Sequence, residues 1–147
     1  MTIASKQKLV RKANIATSNT GLKFIDLFSG CGGFSKGLEM AGHTCMLGVD
    51  YQKEAVKTFA KNHPKAHALH MDIHGLSKRK LSKYIDIDEV DMVVGGPPCQ
   101  GFSTVGRGDA KDARNSLFQQ FVRVVKLTKP KVVPVSYTHL RAHETRH

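Results

Sequence analysis

The sequence predicts an α/β domain whose strands form a doubly wound, mostly parallel sheet. Three observations lead to it. Short apolar runs of strand length recur at Leu22 to Phe28, Thr44 to Val49, Ala66 to His70 and Val90 to Val94, and near-continuous apolar character marks strands covered on both faces. The segments between these runs carry apolar residues at helical spacing. The connections are short, so strands and helices alternate as they do in parallel sheets with crossover helices.

Taken in order, Leu22 to Phe28 runs into Ser29-Gly30-Cys31-Gly32-Gly33 and reads as a buried strand entering a glycine turn. Phe34, Leu38 and Ala41 then mark one face of a helix that Gly42 stops. The second strand, Thr44 to Val49, ends in Asp50, and a helix carrying Ala55, Val56, Phe59 and Ala60 stops before Pro64. Ala66 to His70 is the third strand, ending at Asp72. Lys78 to Tyr84 is a short basic helix, and Val90 to Val94 is the fourth strand. The polar, glycine-rich segment Gly101 to Ala113 is expected to be a mobile loop. Ser116 and Gln119, at capping-box spacing, open a helix with Leu117, Phe118, Phe121, Val122, Val124 and Val125 on one face, and Lys129-Pro130 ends it. Lys131 to Val135 begins a further strand, although Pro134 would remove a ladder hydrogen bond from a central one.

A chain of 147 residues is long enough for one domain with a real core. Hydrophobic residues at 40% and charged residues at 24% are ordinary globular values and argue against wholesale disorder. Lys and Arg number 23 against 12 Asp and Glu, a formal charge of +11. That excess favours a polyanionic partner, nucleic acid first, although charge also serves plain solubility. Cys31, Cys45 and Cys99 are widely spaced, with no C-x-x-C pair to suggest zinc or a dithiol, and fit a reducing compartment. No run has the length of a membrane span, and Met1 to Gly21 lacks the apolar core of a secretory signal. The expected location is the cytoplasm of a bacterium or the nucleus of a eukaryote, without secretion. Lys6, Lys8, Arg11 and Lys12, with no acid before Asp26, are compatible with an organelle-targeting segment, but residues 1–21 read first as a basic disordered arm.

The stretch that carries chemistry is Gly95-Gly96-Pro97-Pro98-Cys99-Gln100-Gly101-Phe102-Ser103, reached through Met92-Val93-Val94. Two glycines permit close backbone approach and two prolines fix φ, so Cys99 is presented on a stiff turn, the mount a reactive thiol needs. The plainer reading is a buried small hydrophobe. In doubly wound sheets ligands bind beyond the C-terminal ends of the strands, where Ser29 to Gly33, Asp50, Asp72 and Cys99 all fall. The Gly30 to Gly33 turn lets a ligand meet the backbone at a helix N-terminus, but it is not the full dinucleotide fingerprint. Asp50 stands where nucleotide-binding α/β folds place a ribose-binding carboxylate. Asp72 can accept from an exocyclic amine, and both aspartates are equally suited to capping the helices that follow.

Asp26-Leu27-Phe28-Ser29-Gly30-Cys31-Gly32-Gly33, then Asp50, Asp72, the Pro-Pro-Cys-Gln centre of Gly95 to Ser103, and Arg114-Asn115-Ser116-Leu117-Phe118 occur together in that order. In this the chain resembles the N-terminal half of a cytosine-C5 DNA methyltransferase, from Leu22 to about Val133. The resemblance implies the Rossmann-like fold of S-adenosylmethionine-dependent methyltransferases, incomplete here. It implies that the cofactor S-adenosylmethionine lies against Phe28, Gly30, Cys31 and Gly33, with its ribose on Asp50 and its adenine near Tyr51, Asp72 and Ile73. Pro98 and Leu117 would line the other side. Cys99 would be the nucleophile, with Gln100, Ser103 and Arg107 as substrate contacts in a loop closing over a flipped base. The implied partner is DNA, and the reading is a monomer with no membrane association and no metal.

The family's next segment is Glu-Asn-Val, whose Glu holds the flipped cytosine at N3, whereas this chain reads Pro134-Val135-Ser136-Tyr137-Thr138-His139. Such an acid is worth about 10²- to 10⁴-fold, so the expectation is a fragment inactive on its own. The domain reading is 22–135 as a partial cofactor-binding and catalytic unit and 136–147 as a non-native tail. His143-Glu144-Thr145-Arg146-His147 matches a zinc-protease pattern, but no third ligand follows His147 and the segment before it lacks an apolar helix face, which leaves only weak metal binding by His139, His143 and His147 at helical spacing as an alternative. The alternatives are a non-catalytic module binding S-adenosylmethionine or nucleic acid, and an RNA cytosine methyltransferase.

Overall fold

The computed structural model describes residues 21–98 and 113–136, with 113–115 described by their backbone alone. The residues 1–20, 99–112 and 137–147 lie outside it, and with them the basic arm apart from Gly21, the residues Cys99, Gln100, Ser103 and Arg107, the loop predicted over Gly101 to Ala113 apart from Ala113 itself, and the histidine-rich tail. The elements are β1 (Lys23–Leu27), α1 (Gly33–Met40), β2 (Thr44–Asp50), α2 (Lys53–Asn62), β3 (His67–His70), α3 (Lys78–Leu81), β4 (Met92–Gly95) and α4 (Ala113–Thr128).

Every strand pairing is parallel and the order is β3-β2-β1-β4. The chain therefore steps outward from β1 to β3, then returns to the far side of β1. The reversal between β1 and β4 makes a topological switch point, and in such sheets the crevice at the strands' C-terminal ends is where ligands bind. Leu27 pairs with Val49 on one side and with Gly95 on the other, so the ends of three strands are level there. Beyond β4, Val132 and Val135 form isolated parallel bridges to Met92 and Gly95. The strand predicted over Lys131 to Val135 is thus reduced to two bridges, with Pro134 between them and no N–H to donate.

The sheet alternates its side chains between two cores. Ile25, Leu27, Leu47, Val49 and Val93 pack on one face with Leu76, Leu81, Phe121 and Val124. Phe24, Cys45, Met92 and Val94 pack on the other with Phe59 of α2. A register shift between Phe24 and Ile25 absorbs Met46 as an extra residue in β2.

Asp26 departs from the apolar pattern. It is only 2% exposed and accepts a hydrogen bond from Ser35 Oγ at 2.5 Å. That pairing corrects the predicted face of α1. Phe34, expected inward, is exposed, and the buried residue of α1 is Ser35, because a carboxyl brought into the core needs a polar partner more than it needs another apolar one. Gly42, at φ +94, ends the helix in the left-handed conformation expected of it. The basic helix also differs from expectation. It covers Lys78–Leu81, capped by Ser77, and the chain then turns so that Ile85 is buried.

Helix α4 departs from expectation as well. It begins at Ala113, which places Ser116 inside its first turn and not at the cap. Its six apolar residues spread over more than one face. Phe121 and Val124 are buried, while Phe118 and Val122 border an outward cavity of about 370 Å³ with Gln119, Arg123 and Lys126. Among the described residues its lining holds no carboxylate or thiol. Arg123 reaches across to donate to the carbonyls of Ile73 at 2.9 Å and Leu76 at 2.8 Å, fixing α4 to the segment after β3.

Candidate active site

The basic excess does not reside in the sheet. Residues 22–98 contain ten Lys and Arg against nine Asp and Glu, so the excess lies in residues 1–21 and 99–147.

At the C-terminal end of β1 the backbone turns sharply. Phe28 has φ +60, Gly30 φ +54 and Gly32 φ +88. Phe28 adopts a conformation that L residues with a Cβ disfavour, and strain of this kind gathers at functional sites. The turn is held from several sides. Ser29 N–H donates to the Val49 carbonyl at 3.0 Å and Gly32 N–H to the Ser29 carbonyl at 3.0 Å. Asp50, at the end of β2, accepts from Gly30 N–H at 2.9 Å through Oδ2 and from Gln52 N–H at 2.8 Å through Oδ1. Asp50 therefore fixes the glycine turn and closes a turn onto Gln52, the residue before α2, whose N-cap carries no side-chain cap bond.

Asp72 also combines two roles. Its Oδ1 accepts from His74 N–H at 2.9 Å, closing the short 3-10 turn Ile73–Gly75, and lies 2.6 Å from His74 Nδ1. These bonds hold the Asp72 carboxyl below the usual range, so it is ionised at neutral pH. His74 Nε2 lies 2.8 Å from Ser116 Oγ of α4. With Nδ1 donating to Asp72 and Nε2 accepting from the serine hydroxyl, the neutral ring satisfies both contacts. Asp72 Oδ2 has no hydrogen bond among the described residues.

Phe28, Val49, Asp50, Tyr51, Met71, Asp72, Ile73, Pro98 and Leu117 enclose a cavity of about 210 Å³. Seven of the predicted cofactor residues line it, from the turn after β1, the end of β2 and the residue after it, the segment after β3, the turn after β4 and α4. Gly30, Cys31 and Gly33 belong to the neighbouring turn and are not in the lining. Of these, Cys31 is exposed and Gly33 opens α1. Val49 and Met71 were not anticipated, since an ordinary strand residue and a methionine beyond a strand carry no chemical signal. Ile73 is buried and Tyr51 is 66% exposed, so the lining offers apolar walls and an accessible aromatic ring beside two carboxylates. Such a mixture suits a ligand with a flat apolar part and several hydroxyl or amine donors. Ser29 Oγ is buried with no hydrogen-bond partner among the described residues, a polar atom left over in the same turn.

Behind the turn lies a polar cluster that sequence reasoning did not assign. Burial raises the Asp26 carboxyl to about 6, against the opposing influence of the Ser35 hydrogen bond and of His63. Burial likewise pushes the Cys45 thiol up to about 12, which makes it a packed, unreactive cysteine. His63 is 1% exposed, with Nδ1 2.9 Å from Glu39 Oε2 and Nε2 2.9 Å from the Gly32 carbonyl. The signal for His63 was its spacing, four residues after the core residue Phe59. For Asp26 it was a charge inside an apolar run.

Comparison with known proteins adds the following. A family model described as C-5 cytosine-specific DNA methylase matches residues 22–135. Type II methyltransferase M1.HphI of Haemophilus parahaemolyticus is 49% identical over 113 residues, which are 75% of this chain and 30% of that protein. Type II methyltransferase M.DdeI of Desulfomicrobium norvegicum is 46% identical over 110 residues, 75% of this chain and 26% of that protein. Among solved structures, a prophage-encoded protein of E. coli described as a DNA modification methyltransferase superposes with a TM-score of 0.64 at 36% identity, covering 75% of this chain and 30% of that one. The chain thus spans less than a third of the length of these relatives.

Proposed function

The chain belongs to the C-5 cytosine-specific DNA methylase family, and from that premise we propose that it carries the cofactor site and nucleophile of a DNA (cytosine-5)-methyltransferase that uses S-adenosylmethionine. The observation that carries this reading is convergence. Asp50, Asp72, Ile73, Pro98 and Leu117, distant in sequence, border one cavity beside a glycine turn, and Cys99 follows Pro98 directly.

The residues present fit the cofactor. The two carboxylates would accept from its ribose hydroxyls and adenine amine, with Asp72 Oδ2, which has no partner among the described residues, suiting the amine, and Tyr51 and Ile73 would supply apolar contact to the adenine. Ser29 Oγ has the spare donor and acceptor capacity a polar ligand would use. S-adenosylmethionine supplies an electrophilic methyl group. Cytosine C5 is too weak a nucleophile to take it unaided, so the Cys99 thiolate adds to C6, and the C5–C6 π electrons become an enamine that is nucleophilic at C5. After methyl transfer, loss of the C5 proton returns its bonding pair to C5–C6 as the Cys99 bond breaks with the thiolate as leaving group. The target base must leave the duplex stack for this, at a cost of about a few kcal/mol.

One observation favours a second reading, binding without turnover. Pro134 to His139 contain no Glu where the family places the residue that holds and protonates N3. Incubation with 5-fluorocytosine DNA and S-adenosylmethionine separates the two, because fluorine at C5 cannot leave as a proton does and traps the adduct. A covalent complex lost in Cys99→Ser supports catalysis. Cofactor binding without a complex supports the module, and complex formation with RNA in preference to DNA would reassign the substrate.

A further inference from the structure

We propose that Asn62 and His63, at the C-terminal end of α2, are positioning residues that set the shape of the glycine turn for the cofactor. The role in cofactor binding rests on the function proposed above. The contact with the turn does not.

The geometry is specific. Asn62 Nδ2 donates to the Cys31 carbonyl at 3.0 Å and His63 Nε2 to the Gly32 carbonyl at 2.9 Å, so two adjacent side chains hold two adjacent peptide units. Asp50 in turn holds Gly30 N–H at 2.9 Å. The fit at Gly32 is close on its own account. A Cβ built there would lie 2.3 Å from His63 Nε2 and 2.8 Å from the Phe59 ring, and its φ of +88 already excludes most side chains. His63 is itself held, packed at a tilt of 32° against Phe59 with ring centroids 4.5 Å apart and facing Glu39 of α1 through Nδ1.

A turn with two glycines at positive φ has many alternative shapes of similar energy. A ligand that must select one shape loses affinity by the fraction of time the turn spends in it, and groups that hold the turn beforehand remove that loss. Asn62 and His63 do this without occupying the ligand's side. Asn62 is exposed and not part of the core, so its bond can be deleted without opening a cavity.

The test uses the 147-residue chain with two readouts, calorimetric binding of S-adenosylhomocysteine and deuterium exchange of Gly30 and Gly32 N–H in ligand-free protein. Those amides are protected by Asp50 Oδ2 and the Ser29 carbonyl when the turn is closed. Asn62→Ala is expected to speed exchange at both glycines and to weaken binding by about tenfold, the scale of one hydrogen bond, with an unchanged melting temperature. His63→Ala is expected to weaken binding further and to lower the melting temperature. His63→Gln, which returns a donor towards the Gly32 carbonyl, should recover part of the affinity. Wild-type exchange in Asn62→Ala overturns the proposal, and so does faster exchange with unchanged affinity. A wild-type chain that binds no S-adenosylhomocysteine overturns the cofactor role, while the exchange comparison still decides whether these residues set the turn.

Discussion

Asp50 Oδ2 accepts the Gly30 N–H at 2.9 Å while the other oxygen of the same carboxylate accepts the Gln52 N–H, so one side chain joins the turn after β1 to the start of α2. A carboxylate used in this way is already ordered before any ligand arrives. Asp50→Ala leaves both amides without their partner, and hydrogen bonds to a charged group contribute about 1.5–3 kcal/mol each. The expected outcome is a fall in stability of about 2 kcal/mol or more in urea denaturation, together with loss of measurable S-adenosylhomocysteine binding. Retained binding in a folded Asp50→Ala chain would remove Asp50 from the site.

Asp26 predicts a pH dependence with a definite sign. Burial raises its folded pKa from 3.8 to about 6, so its contribution to stability is fully present below pH 3.8 and is lost as pH rises through about 6. The gap corresponds to ~3 kcal/mol. Asp26→Asn keeps the shape and an acceptor for Ser35 but cannot ionise. Urea unfolding at several pH values between about 4 and 7 should show a decline in the wild type that the variant lacks. The lowered carboxyls of Asp72 and of Asp91, the residue before β4, which accepts from the Lys131 ammonium and the Lys23 N–H, act in the opposite sense and at lower pH, their contribution being lost as pH falls through their depressed values. Equal slopes in the two proteins would sink the assignment to Asp26.

His74 joins the Asp72 side of the cavity to α4 through Ser116. Ser116→Ala removes one exposed hydrogen bond, expected to cost under about 1 kcal/mol of stability. Its larger effect should be on ligand affinity, since the Leu117 wall is then tied less firmly to the Asp72 wall. Parallel measurement of melting temperature and S-adenosylhomocysteine affinity checks this, and an affinity equal to wild type would count against the link.

Gly32 and Gly37 should respond oppositely to alanine. At Gly32 the methyl would meet His63 and Phe59 in a left-handed backbone, an arrangement costing about 2 kcal/mol or more. At Gly37, in the interior of α1, a methyl meets nothing within 4 Å, and replacing a helical glycine by alanine should stabilise by about 0.5–1 kcal/mol. Chemical denaturation of the two variants reads both signs directly.

Much of the fold was legible because it depends on local regularities. Continuous apolar runs marked β1 to β4, glycine and proline marked their ends, and Asp50 and Asp72 were visible as carboxylates at strand termini. The errors have a common physical origin. Phe34 was expected inward because helical spacing counts apolar residues, whereas the inner face of α1 is decided by the buried carboxyl of Asp26, which requires Ser35. Ser116 was read as a cap because its spacing to Gln119 suits one, yet α4 starts three residues earlier and the hydroxyl is used by His74, 42 positions away.

By itself the sequence determined the order of strands and helices, the family, and the residue types at the sheet's rim, since these follow from periodicity and from motifs read along the chain. Only the tertiary structure decided which of those residues meet. The return of the chain from β3 to the far side of β1 sets β4 beside it and creates a switch point that no local pattern records. The hold of Asn62 and His63 on the turn, the link from His74 to Ser116 and the reach of Arg123 to Ile73 and Leu76 all join residues more than 30 positions apart. Contacts at that separation are set by how helices pack on the sheet, and periodicity says which side of a helix is apolar but not which carbonyl a side chain will meet.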